Sequence, residues 1–179
     1  LRLTVGARVE RNDDTGNEFL PTLRLAWKLA PEHLLWLSAT HTVRAPSRLD
    51  RDIYIPAQPP FLLDGGPGFR SETANVLQLG YRGQPLPALN LSATLFHGDY
   101  DHLHTQELAP SRTSIFFGNG MRGRVSGLEA WGMVQAAPWL RLHGGFTLLR
   151  PRLSLKPGSA DTGDSVAATD GAMPRQTWQ

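Results

Sequence analysis

Hydrophobic and polar residues alternate one by one along most of the chain. In the first ten residues, every second position holds an aliphatic side chain: Leu1, Leu3, Val5, Ala7 and Val9. The positions between them hold arginine, threonine, glycine or glutamate. A repeat of two residues places one set on each face of a β-strand. The segment therefore predicts a strand with one apolar face and one polar face.

The same alternation returns in six further segments, which are 8 to 13 residues long. These segments are residues 22–29, 34–44, 72–82, 88–100, 123–135 and 140–149. Residues 174–179 begin one more segment of this kind. We therefore predict an all-β chain, folded as an antiparallel up-and-down meander of about eight strands.

The connections between these segments alternate between short and long. Those after Leu29, Arg82 and Gln135 have four or five residues, whereas those near 45–71 and 151–174 have more than twenty. Outer-membrane β-barrels have short periplasmic turns and long extracellular loops, and their strands face lipid on one side and a wet lumen on the other. We expect the whole chain to form a single unit, a partial transmembrane β-barrel of the bacterial outer membrane with its long loops outside the cell.

Two other architectures fit the alternation. A soluble antiparallel β-sandwich, acting as a binding module, also buries one face of each strand. A different outer-membrane barrel, such as a porin, has the same strand pattern but no plug domain. Sandwich strands are usually shorter, and their loops have mixed lengths at both ends. The partial barrel is therefore the prediction, and the other two remain alternatives.

The composition and the absence of certain motifs argue against several classes of function. Hydrophobic residues make up 40% of the chain and charged residues only 19%, which is a low charge content for a soluble surface. The net charge is +2 and no lysine/arginine block occurs, which argues against nucleic-acid binding. There is no cysteine for disulfides or thiolate metal sites. No Gly-x-Ser-x-Gly, phosphate-loop or His-Glu-x-x-His motif occurs, so we expect neither an enzyme nor a bound cofactor.

The stretch HGDYDHLH, residues 97–104, concentrates three histidines and two aspartates. In an extended segment these side chains split between two faces: His97, Asp99 and Asp101 on one, His102 and His104 on the other. Neither set alone completes a metal coordination shell. We therefore interpret the stretch as a polar strand end that enters a loop, with a metal site at these five residues as the alternative.

Several segments resemble the barrel region of TonB-dependent outer-membrane receptors. Residues 1–48 end in the Arg-Ala-Pro-Ser type of sequence that enters a large extracellular loop in that family, and SETANVLQLGYRG is similar to the strand that returns from it. Further matches are the Phe-x-x-x-Tyr-Asp-x-Leu strand end at 96–103, GNGMRGRVSGLEAWG and TDGAMPRQTW. No plug-like region or TonB box occurs among these residues, so we expect a segment of the C-terminal β-barrel domain.

This resemblance implies a complete receptor with a barrel of about 22 strands, closed by a plug. Members of the family import scarce nutrients such as ferric siderophores, with energy that TonB delivers through the plug. The partners implied for this chain are a ferric chelate or similar small ligand, TonB through the missing plug, and outer-membrane lipid.

The first long loop carries the candidate ligand-binding residues. Guanidinium groups form charge-assisted bonds with anionic chelates. This loop and its two ends hold Arg44, Arg48, Arg51, Tyr54 and Arg70. The alternative is ordinary solvated loop charge, balanced by the aspartates at positions 50, 52 and 64.

Overall fold

The computed structural model describes all residues from 1 to 179. It contains nine strands and two short helices: β1 (Arg2–Asn12), β2 (Gly16–Ala30), β3 (His33–Arg44), α1 (Arg48–Asp52), β4 (Leu63–Asp64), β5 (Glu72–Leu86), β6 (Leu89–Leu108), β7 (Ile115–Ala137), β8 (Leu140–Leu155), α2 (Asp164–Gly171) and β9 (Gln176–Trp178). Neither helix has the length and apolar composition needed to cross a membrane.

The nine strands form a single sheet in the order β1-β2-β3-β5-β6-β7-β8-β9. Each neighbouring pair in this order is antiparallel. The short β4 lies off this path and pairs in parallel with the start of β7. The predicted antiparallel meander is confirmed. The alternative of a two-sheet sandwich is wrong, because all strands belong to one sheet.

One face of the sheet carries a continuous apolar band. The strand register aligns one leucine from each of six strands on this face: Leu25, Leu37, Leu79, Leu95, Leu128 and Leu148. Leu79 and Leu95 expose 49% and 54% of their surface, so the protein leaves this band uncovered. A continuous apolar face of this kind is stable next to an apolar phase, such as lipid acyl chains.

The opposite face is mainly polar. The register aligns Trp36, Gly80, Thr94, Glu129 and Thr147 on it. The indole of Trp36 lies over Gly80, where a Cβ atom would come within 2.1 Å of the ring. A mainly polar face of this kind suits the wet lumen of a barrel.

The two-residue turns lie at one end of the sheet, and all longer connections, of three residues or more, lie at the other. The two-residue turns at 31–32, 87–88 and 138–139 close one end. The connections at the other end are 13–15, 45–71, 109–114 and 156–175. The longest of them, hereafter the 45–71 loop, contains α1 and β4.

The last long strand runs further than the alternation predicts. β8 continues to Leu155, so the second long connection begins at residue 156 and not at 151. The reason is a switch of polarity between the faces. Up to Leu148, apolar residues share the face of the apolar band, whereas Arg150 and Arg152 occupy that face afterwards. The strand pairing continues through this switch, but the pattern of a lipid-facing strand ends there.

Candidate functional site

The 45–71 loop begins with a short helix, α1, whose N-terminus is capped by a sequence motif. Ser47 and Asp50 form a capping box at the first turn of α1. The Asp50 carboxylate accepts hydrogen bonds from the Ser47 amide at 2.8 Å and from the Ser47 hydroxyl at 2.9 Å. Asp50 is also buried. This local structure fixes the direction in which the loop leaves β3.

Arg44, a predicted ligand-binding residue, holds the base of the loop. Its guanidinium donates to Glu72 Oε2 at 2.8 Å and to Asp50 Oδ2 at 3.2 Å. Arg44 and Glu72 are cross-strand partners at the ends of β3 and β5, where the loop leaves and rejoins the sheet. Two carboxylates therefore already bind the Arg44 guanidinium. Arg44 has a structural role, because it joins the two ends of the 45–71 loop.

We expect the ion pair between Arg44 and Asp50 to persist in mild acid. Burial raises the pKa of Asp50, but hydrogen bonds from Ser47 and the charge of Arg44 outweigh it, so the pKa lies below the usual 3.8. A carboxyl whose pKa falls on folding stabilises the folded loop above its unfolded pKa, and this contribution is lost as the pH drops through the folded value. Burial also lowers the pKa of His104, which packs against Phe69 of this loop, so two acid responses are expected. Amide hydrogen exchange of the 45–71 loop, corrected for intrinsic rates, should rise first below about pH 6.5, where His104 takes up a proton, and again below about pH 4, where Asp50 does. Absence of the second rise below about pH 4 would contradict this role of Asp50.

Arg51 ties the loop to the hairpin between β1 and β2. Its guanidinium donates to the Asp14 carbonyl at 3.0 Å and to the Pro67 carbonyl at 3.1 Å, and it pairs with the Asp14 carboxylate at 3.1 Å. Only 22% of its side chain is exposed. The positive charge of Arg51 is therefore held in a fixed position at the end of the sheet that carries the 45–71 loop.

The remaining predicted residues differ in their surroundings. The Arg48 side chain is 93% exposed, and its one ion pair is with Asp52 at 3.7 Å. Tyr54 packs against Phe61, with ring centroids 5.2 Å apart, and is half-exposed. Both residues therefore lie on the outside of the 45–71 loop.

Arg70 combines an anchored backbone with a free guanidinium. Its amide donates to Asn119 Oδ1 at 2.6 Å, and the Asn119 amide group donates back to the Arg70 carbonyl at 3.1 Å. Asn119 also donates to the His102 carbonyl at 2.5 Å. The exposed Arg70 side chain forms no salt bridge. Its charge is therefore available at a defined position.

Arg51 and Arg70 meet in one cavity of about 400 Å³, hereafter the Arg51–Arg70 pocket. The pocket also contains Asp14, Glu18 and His102, whereas Arg44, Arg48 and Tyr54 do not line it. Asp14 is paired with Arg51, and Glu18 accepts a hydrogen bond from the Ser71 hydroxyl at 2.5 Å. The formal charges of Arg51 and Arg70 balance those of Asp14 and Glu18, and the guanidinium of Arg70 is the cationic group of the pocket that no carboxylate pairs with.

Sequence reasoning missed Asp14, Glu18 and His102 as pocket residues. Asp14 and Glu18 stand in the polar stretch RNDDTGNE, which is evident in the sequence as a turn. Their approach to a loop more than thirty residues away depends on the sheet register, which local patterns do not encode. His102 has a positive φ of 57° at a register shift in β6, and its neighbours carry no glycine or Asn-Gly signal for that shift.

The stretch HGDYDHLH does not assemble a metal centre. Nowhere in the chain do three or more histidine, aspartate or glutamate side chains converge on one point. His97 bonds to the Ser126 hydroxyl at 2.8 Å, and His104 packs between the rings of Phe69 and Phe117 at centroid distances of 5.6 and 4.7 Å. The stretch also lies inside β6, which continues to Leu108 before its connection begins.

A sequence comparison decides the family. The family profile described as "TonB dependent receptor-like, beta-barrel" matches residues 1–179. The chain belongs to this family. The resemblance seen in the sequence is thereby confirmed, and the TonB-dependent barrel takes precedence over the porin-like alternative. A comparison with curated protein sequences finds no match.

Solved structures of TonB-dependent barrels share the fold of this chain. The siderophore receptor PirA from Pseudomonas aeruginosa aligns with a TM-score of 0.71 and 20% identity, over 83% of this chain and 31% of that receptor. A variant of the ferric enterobactin receptor PfeA from Pseudomonas aeruginosa, in complex with enterobactin, gives 0.69 and 23%, over 82% and 24%. The FrpB iron transporter from Neisseria meningitidis gives 0.64 and 13%, over 83% and 22%. The chain thus spans between 22% and 31% of these receptors.

Proposed function

We propose that this TonB-dependent barrel segment forms part of the wall and extracellular mouth of a receptor that imports a ferric siderophore across the bacterial outer membrane. The family supplies the receptor class. The similar structures named above include a siderophore receptor and a ferric enterobactin receptor, which supports iron chelates as the ligand class.

The observation that carries the proposal is the Arg51–Arg70 pocket. It lies at the end of the sheet that holds the long connections, where a ligand would arrive from outside the cell. A ferric catecholate is anionic, and guanidinium groups bind such oxygen-rich anions through charge-assisted hydrogen bonds. Arg70 supplies a guanidinium with free donors, while Arg51 adds a second guanidinium held in place by Asp14 and Pro67.

Transport in this proposal needs partners outside the chain. The sheet ends at β1 on one side and at β9 on the other, so the barrel requires further strands to close. The polar face, with Gln78, Thr94 and Glu129, would line the lumen against a plug domain. TonB would act through that plug.

Removal of the Arg70 guanidinium tests the ligand site. We expect Arg70→Ala, in the complete receptor, to weaken binding of ferric enterobactin about tenfold, because one charge-assisted contact is lost. Isothermal titration calorimetry measures this change. Arg48→Ala is the matched control, since Arg48 is on the same loop but outside the pocket and should change binding less than about twofold. Equal losses for the two variants would show that the loop attracts anions through its overall charge and not through the Arg51–Arg70 pocket.

A further inference from the structure

The face of the sheet that carries the apolar band also carries a group of arginines. The register pairs Leu95 with Leu128 and Leu128 with Leu148 inside the band. Four residues further along the same strands, it pairs Asp99 with Arg124 and Arg124 with Arg152. An even separation in a strand keeps side chains on one face, so these charged residues point outward like the leucines.

These residues line a shallow groove of about 630 Å³, hereafter the cationic groove. Its charged residues are Asp99, Asp101, Arg122, Arg124, Arg152 and Lys156. Four cationic groups therefore face two carboxylates, which leaves the cationic groove with two excess positive charges.

The pairing inside the cationic groove leaves two guanidinium groups free. Arg124 pairs with Asp99 at 3.1 Å, and Lys156 pairs with Asp101 at 2.5 Å. Arg122 contacts only the Ser154 hydroxyl, at 3.5 Å, and no carboxylate lies within salt-bridge distance of Arg122 or Arg152. Both arginines are exposed. Two adjacent strands thus present unpaired guanidinium groups on the outward face.

The position of the cationic groove sets its depth in the membrane. Arg124 is four residues from Leu128, towards the end of the sheet with the long connections. This separation is about 13 Å along the strand. Charged side chains are costly in the hydrocarbon region, so the polarity switch in β8 between Leu148 and Arg150 marks the upper limit of that region. The long connections lie at this same end. The cationic groove therefore stands at the level of the outer-leaflet headgroups.

We propose that the cationic groove binds the phosphate of an anionic lipid headgroup in the outer leaflet. Arg122 and Arg152 would engage the phosphate oxygens, because a guanidinium group matches phosphate with two parallel hydrogen bonds. The acyl chains of the same lipid would lie along the leucines below. This site is on the face opposite the lumen, so it is separate from the proposed siderophore site.

Lipid retention measured by native mass spectrometry tests the proposal. The complete receptor, purified in detergent, is offered dioleoyl phosphatidic acid or dioleoyl phosphatidylcholine in mixed micelles. We expect preferential retention of phosphatidic acid, and a loss of about tenfold or more in the double variant Arg122→Gln/Arg152→Gln. Arg2→Gln/Arg24→Gln is the matched control, because it removes the same charge from the opposite face and should leave retention unchanged. Circular dichroism verifies that all variants keep their strand content.

Three results would overturn the proposal. One is equal retention of the two lipids by the unchanged receptor. Another is equal retention of phosphatidic acid by the Arg122→Gln/Arg152→Gln variant and the unchanged receptor. The third is displacement of the bound lipid by inorganic phosphate at the same concentration, which would make the cationic groove a site for free anions and not for lipid.

Discussion

Replacing Gly66 with alanine is expected to release the 45–71 loop from the sheet. A Cβ atom on Gly66 would lie 2.3 Å from the Phe117 carbonyl oxygen and 3.0 Å from the Asp50 carbonyl oxygen. Both neighbours are backbone atoms, one in β7 and one in α1, so neither can move without breaking its own element. The Gly66 amide also donates to the Asp50 carbonyl at 3.0 Å. Overpacking of this kind costs about 1–3 kcal/mol, and the loop should open about fivefold to about 150-fold more often.

Limited proteolysis of the complete receptor measures this opening as the cleavage rate within residues 45–71. Ligand binding should fall together with it, because Arg51 and Arg70 both depend on the docked loop. Gly68→Ala is the control on the same loop, since a Cβ atom there meets no atom within 4 Å. If Gly66→Ala and Gly68→Ala are cleaved equally fast, the close backbone packing at Gly66 is not what holds the loop.

Glu107→Ala is expected to free the connection between β8 and β9. The Glu107 carboxylate is buried and accepts hydrogen bonds from the Thr105 hydroxyl at 2.6 Å, the Ser159 hydroxyl at 2.8 Å and the Ala160 amide at 2.5 Å. Alanine would leave these three donors without an acceptor in a site where Thr105 is fully buried. Unsatisfied buried donors of this kind cost about 3 kcal/mol in total.

Hydrogen exchange of residues 156–163 reports the effect of Glu107→Ala, and we expect a clear loss of protection there with the strands unchanged. Glu32→Ala serves as the control, because Glu32 is an exposed glutamate in a turn at the other end of the sheet. The loss of protection in Glu107→Gln should lie between those of Glu107→Ala and Glu32→Ala. The glutamine amide keeps one acceptor oxygen but brings an NH₂ group towards donors. Unchanged protection in Glu107→Ala would mean that Asp161, which accepts from the Gln106 and Gly163 amides, holds the connection without it.

The membrane-facing part of the fold was predictable from the sequence. Residues such as Leu79 and Leu95 face lipid on one side of a strand and polar residues face the lumen on the other, so the chain records each strand as an alternation. The prediction ended too early in β8, because beyond Leu148 the polarity exchanges faces. The helices α1 and α2 were not predicted at all. Each has eight residues or fewer, too short for a helical period to emerge.

The candidate site was predictable only as a region. The sequence shows that arginines gather around the 45–71 loop, and the structure places Arg51 and Arg70 in one pocket. It also gives Arg44 two carboxylate partners, one of them Glu72 on the neighbouring strand. Arg44 and Glu72 each stand where a strand meets the loop, and a register estimate would have paired their opposite charges. No feature of the sequence predicts the ion pair between Arg51 and Asp14, because this pair depends on how the loop folds back over the β1–β2 hairpin.

The pairing order of the strands also determines the order in which the sheet can fold. Each long strand needs only its predecessor in the chain, so hairpins can join one at a time with little loss of chain entropy. β4 is the exception, because Leu63 and Asp64 pair with Ile115 and Phe116, which lie 52 residues later. β4 therefore has no partner until β7 has joined the sheet, whereas the contacts of the loop with Arg44 and Asp14 need only the earlier strands. The docking of the 45–71 loop is therefore completed only after the strands on which it rests have paired.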